Sequence, residues 1–176
     1  MGLWGASDSD ESKPKNLTTA EKKEVFANAS GWVREAGSAL TGNDNTSADP
    51  EVLVAIGGLA VSIGAADITE IEFVTTAFDK SEGGNIDMLV RFNEPVDVTG
   101  TPQFLITNNT SSSRNITANY LSGTGTNELT FRKTIAAANA ATNANDVLKV
   151  VANPVSLNSG TIKDAGTNTA STITSA

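Results

Sequence analysis

Ile86-Asp87-Met88-Leu89-Val90-Arg91-Phe92-Asn93 decides the fold. Ile86, Met88, Val90 and Phe92 alternate with Asp87, Leu89, Arg91 and Asn93. A repeat of two puts one set on a buried face and the other on an outer face, which is the signature of a half-buried β-strand. The same period recurs on both sides. Thr69, Ile71 and Phe73 oppose Glu70 and Glu72. Phe104 and Ile106 follow, then Ile116, Ala118 and Tyr120, then Leu129, Phe131 and Ile135 with Thr130, Arg132 and Thr134 facing outward. Leu148 with Val150, Val155 with Leu157, and finally Ile162 and Ile173 continue it. Between them lie turn-forming runs such as Glu82-Gly83-Gly84-Asn85, Ser122 to Thr126 and Asp164-Ala165-Gly166. Seven or eight short strands at this spacing predict an all-β antiparallel sandwich of immunoglobulin-like type over residues 65–176. Glu94-Pro95 is expected to end the strand it follows, because proline has no N–H to donate. The Ala- and Asn-rich stretch Ala136 to Asn145 lacks an apolar stripe and reads as a long loop or a single helical turn.

Residues 1–64 read differently. Thr18-Thr19-Ala20-Glu21 forms a capping box, predicting a short helix through Ala27 that Gly31 terminates. Gly31 to Gly37 and Glu51 to Ile56 read as short strands, Thr41 to Pro50 as a loop, and Leu59 to Ile63 as a second apolar piece. These pieces show no closed core of their own. They predict an anchoring arm, one short helix and short strands, that gains order against a partner.

Composition narrows the chemistry. Among 176 residues there is no histidine and no cysteine. Ser-His-Asp and Cys-His catalysis are therefore excluded, and zinc, haem and iron–sulfur sites lose their usual ligands. A non-enzymatic protein without cofactor or resident metal is expected. The net charge of −8 disfavours direct binding of nucleic acid. No apolar run reaches the ~20 residues a bilayer requires, and no signal peptide is read at the N-terminus.

The carboxylate pairs Asp8/Asp10, Glu70/Glu72 and Glu94/Asp97 read as solvated surface. Asp79, Asp146 and Asp164 are candidates for a calcium site between loops, weighed against turns in which a carboxylate bonds its own backbone. The polar loops Asn108 to Asn115 and Ala137 to Asn145 are candidates for weak contact with glycans or a cell surface. Two tryptophans, Trp4 and Trp32, fall in the N-terminal segment. A tryptophan seeks a partner surface, so either each is buried locally or Trp4 anchors in a neighbouring subunit.

Val90 to Gly100, Thr101-Pro102-Gln103-Phe104, Tyr120 to Thr130 and Ser156 to Asp164, in that order, resemble a bacterial immunoglobulin-like domain of the kind found in surface adhesins and phage virion proteins. Met1 to Gly5, Lys13 to Leu17, Gly31-Trp32-Val33 and Glu51 to Ile56 resemble the opening of small virion proteins of marine tailed phages, cyanophages especially. The resemblance implies a structural protein displayed in many copies on a virion, on the capsid surface as a decoration or accessory head protein. Its partner would be the phage major capsid protein or another virion protein, with homo-oligomers possible. The docking set expected from the arm is Trp4, Val25, Phe26, Trp32, Val52, Leu53, Val54 and Ile56. The competing expectation is a tail, neck or fibre component, or an adhesin-type module, binding a host-surface glycan or receptor.

Overall fold

A computed structural model describes residues 14, 16–38, 40, 44–137, 143 and 145–175. The chain is all-β with a few short helices. Two antiparallel sheets carry it, a small one in the N-terminal part and a large, curled, sandwich-like one after it.

The large sheet is built around β5, Gly84–Thr99, the longest strand. Its first half pairs on one side with β8, Thr126–Ile135, from Gly84↔Ile135 to Arg91↔Glu128. On the other side it pairs with β4, Ile68–Phe73. Its second half pairs with β11, Thr161–Asp164. Beyond β8 the sheet continues through β7, Ile116–Ser122, to β6, Gln103–Asn108. β9, Leu148–Lys149, and β10, Val155–Ser156, both flank β6. The two-residue alternation puts Ile86, Met88, Val90 and Phe92 into a core shared with Phe104, Ile106, Ile116, Ala118, Leu129, Phe131 and Ile162. Phe131 is its aromatic centre, 5.8 Å from Phe104 and edge-on to Tyr120 at 6.1 Å between ring centroids.

Three expectations are corrected here. Glu94-Pro95 does not end the strand. The ladder with β8 is interrupted by a register shift between Arg91 and Val96, where proline cannot donate, and resumes at Val96↔Thr126; β5 runs on to Thr99, paired with β11 where its first half was paired with β4. Leu157 is exposed rather than buried with Val155, because β10 stops at Ser156. The proposed loop after Ala136 lies mostly outside the described residues.

The N-terminal part closes a core of its own, contrary to the reading of an incomplete arm. α1 spans only Thr19–Lys23, with both halves of the capping box formed: Glu21 N–H donates to Thr18 Oγ1 at 3.2 Å and Thr18 N–H to Glu21 Oε2 at 2.8 Å. The helix does not reach Ala27. Val25 and Phe26, a β-branched and an aromatic residue, start β1, Val25–Asn28, which pairs with β2, Gly31–Arg34. The Ala29-Ser30 turn is held by Ser30 N–H donating to Asn28 Oδ1 at 2.8 Å. β2 pairs in turn with β3, Glu51–Ala55, across a bulge. Gly31 is required there. Its φ is +133°, and a Cβ would sit 2.0 Å from the Val54 carbonyl oxygen. The segment after β3 forms α2, Leu59–Ser62, not a strand.

This small sheet has two apolar faces. Val25, Ala27 and Trp32 lie on one, covered by Leu59 and flanked by Leu17, Leu53, Val54, Ile56 and Ile63. The cross-strand pair Phe26 and Val33 lies on the other face, also buried. Phe26 faces the large sheet, sharing a groove with Pro95 and residues 125–128. The small sheet thus lies on the large one, with α2 on its other face and the Ala60 carbonyl of α2 close to Gly166 in the turn after β11.

Candidate functional site

Three places carry interpretable chemistry: the seam between the sheets, the free edge of the small sheet, and a cleft at one end of the large sheet.

At the seam, alternation sends Arg91 to the outer face of β5, opposite the buried Val90 and Phe92. Register places Glu70 beside it on β4 and Glu128 beside it on β8. Arg91 Nη1 donates to Glu70 at 2.9 Å and to Glu72 at 3.3 Å; its Nε donates to Glu128 at 2.6 Å and lies 3.6 Å from Glu35, which follows β2. Lys23, at the end of α1, pairs with Glu70. Asn127 Nδ2 donates to Glu35 Oε1 at 2.9 Å. One arginine therefore gathers carboxylates from both sheets.

The surroundings set the charge states. Burial works against the charge on Arg91, but Glu128 and Glu35 outweigh it and hold the guanidinium protonated. Burial pushes Glu70 up, while its hydrogen bonds from Lys23 and Arg91 prevail and hold it below the usual carboxylate range. Burial pushes Glu35 up to about 7, against the Asn127 hydrogen bond and with the nearby Glu128 adding to the rise.

The reading of Glu70/Glu72 and Glu94/Asp97 as solvated pairs is corrected at two positions. The Glu70 side chain is 8% exposed under the N-terminal part, and Glu94 is fully buried. Asp8 and Asp10 lie outside the described residues.

The expected docking set is dispersed. Trp4 lies outside the described residues. Trp32, 2% exposed, and Val25, 1% exposed, are enclosed in the small core and offer nothing to a partner in this conformation. Phe26 is covered too, by the chain's own large sheet rather than another molecule. Leu53, Val54 and Ile56 are half-buried against the small core. Val52 is 50% exposed on β3, whose outer edge has no neighbouring strand among the described residues.

Of the calcium candidates, Asp79 and Asp146 line one cleft and Asp164 does not, and each already accepts hydrogen bonds from the protein. Asp79 accepts from Ser81 N–H and hydroxyl, Asp164 from Gly166 and Thr167, and Asp146 from Arg114 at 2.8 and 3.2 Å. The Arg114 hydrogen bonds hold Asp146 down to about 2. Among the described residues no group of three or more acidic side chains is placed to hold a metal ion. The Asn108 to Asn115 loop is bonded to itself: Asn108 Oδ1 accepts from Thr110 and Ser111, and Asn115 Oδ1 from the Asn108 amide.

The cleft, with a volume of about 590 Å³, is lined by Ala77, Phe78, Asp79, Lys80, Asn143, Asp146 and Leu148. Phe78 is half-buried and gives the loop end an aromatic surface. Neither Phe78 nor the Arg91 hub was singled out by sequence. The hub had a signal, an arginine on the outer face of a central strand between glutamate-bearing neighbours, but only pairing register joins them. Phe78 had none, since it sits outside the alternation.

No protein-family model, no curated protein and no solved structure matches the chain.

Proposed function

We propose that the chain is a non-enzymatic virion structural protein, a capsid decoration or accessory head protein that attaches through its N-terminal part and displays an immunoglobulin-like sandwich. One observation carries this reading. The Glu51 to Ile56 run, part of the likeness to small phage virion proteins, contains β3, one of the two edge strands of the small sheet, whose outer side has no neighbouring strand among the described residues. An open edge rich in Val and Leu offers backbone donors and acceptors to an added strand. Attachment then runs through the β3 edge, with Val52 outermost, and through the segment bearing Trp4. Trp32, Val25 and Phe26 serve the fold instead. The partner is a major capsid protein or another virion protein, and repetition over many copies multiplies a modest contact.

The test is a stained gel of purified particles together with a Val52→Asp variant. A copy number comparable to the shell protein, and loss of the folded variant from the particles, support the reading. A few copies per particle, or undiminished association of the variant, contradicts it.

The Phe78 cleft favours a second reading, a tail, fibre or adhesin-type module that binds a host-surface glycan, because an aromatic face beside amide and carboxylate groups suits a sugar ring. Binding on a glycan panel that is lost in Phe78→Ala would support it over the first.

A further inference from the structure

We propose that the seam between the small and large sheets is a pH-sensitive clasp, closed when Glu35 holds a proton and loosened when it does not. The inference starts from the seam's geometry and does not depend on a place in a virion.

The charges at the seam do not balance. Glu35 faces Asn127 and Glu128 from β8 and Arg91 from β5, with Glu70 and Glu72 from β4 gathered on the same arginine. Lys23 at the end of α1 serves Glu70. Glu24, before β1, adds a further carboxylate near Glu35 and accepts from the Ser38 hydroxyl. Arg34, on the same strand as Val33, turns the other way to Glu21 and Glu51 at 3.5 and 3.8 Å. Two cations, Arg91 and Lys23, thus face Glu35, Glu70, Glu72 and Glu128. Arg91 already gives its short contacts to Glu70 and Glu128, leaving Glu35 at 3.6 Å. An ionised Glu35 would be a surplus negative charge beside Glu128 at a site 19% exposed. A neutral Glu35 still accepts the Asn127 amide. The carboxyl's rise to about 7 follows from that enclosure.

The sign follows from proton linkage. An open seam returns Glu35 to its ordinary value of 4.5, so between there and about 7 the closed form binds more protons. Closure weakens by up to about tenfold per pH unit across that span and levels off above it. Glu70 works in the opposite direction: its lowered carboxyl favours closure above the ordinary carboxylate range and loses that contribution as pH falls through and below it. The two opposing trends meet at the ordinary carboxylate value of 4.5, where the clasp is tightest, and closure weakens from there towards neutrality. Gly64, between α2 and β4, has φ +96° and nothing within 4 Å of where a Cβ would stand. Opening would bare Phe26 and Val33.

The test is a carbon NMR titration of the Glu35 carboxyl in the intact chain, paired with binding of an apolar-surface dye from pH 5.5 to 8.5. A midpoint near 7 is expected, with a severalfold rise in dye signal following the same midpoint and absent in Glu35→Gln. A Glu35 midpoint in the ordinary carboxylate range overturns the clasp even if the variant fails to fold. So does a dye response that Glu35→Gln leaves unchanged.

Discussion

The two sheets reach closure by different means. Among the described residues the large sheet joins eight strands and buries Ile86, Met88, Val90 and Phe92 against Phe104, Phe131 and Leu129. The small sheet has three strands of four or five residues and a buried cluster of Val25, Ala27, Trp32 and Leu59. A sheet of that size is marginal by itself. It gains stability by covering one face with α2 and laying the other, Phe26 and Val33, on its neighbour. The lesson is that a segment with too little apolar surface for independence can still be fully ordered when the same chain supplies its partner.

The largest expected effect falls on the large sheet. Phe131→Ala, at the aromatic centre, should cost about 3–5 kcal/mol and lower the denaturation midpoint of the whole chain, small sheet included. If the N-terminal part keeps its native signal in that variant, it is an independent unit and the contrast fails.

A smaller effect is expected at the join. Arg91→Ala leaves Glu35, Glu70, Glu72 and Glu128 without their shared cation. Removing one partner of a buried pair costs about 3–5 kcal/mol. Here Glu72 and Glu128 are 42% and 34% exposed and keep part of their hydration, so about 2 kcal/mol is expected, read from urea midpoints. The loss should fall on the β1–β2 region first. Least of all, Thr18→Ala removes the capping box and should cost about 1 kcal/mol, confined to faster amide exchange in Thr19–Lys23. A global loss from this change would mean that α1 matters more to the seam than the ion pair of Lys23 with Glu70 indicates.

Legibility in the sequence follows the same contrast. Ile86 to Phe92, Phe104 with Ile106, and Leu129 with Phe131 were readable because each strand is buried on one face and polar on the other, so period two survives. β1 was not, although its partner β2 falls within the extended piece expected from Gly31 to Gly37. Both faces of β1 are buried, so Val25-Phe26-Ala27 shows no alternation, and its proximity to a true capping box made it look like helix. The continuation of β5 past Pro95 was hidden because the change of pairing partner depends on residues more than sixty positions away, on β11. Of the expected docking residues, the exposure of Val52 distinguishes it from Trp32, and no local pattern separates the two. The glutamates around Arg91 come from three stretches of sequence and meet only through folding.

Backbone amide hydrogen exchange of the intact chain at pH 6 tests the join most directly. Slow exchange is expected in Phe26 to Val33 as well as in Val90 and Phe131, with the small sheet less protected than the large one. Unprotected exchange throughout residues 25–34, beside a protected large sheet, would contradict a small sheet ordered by its neighbour.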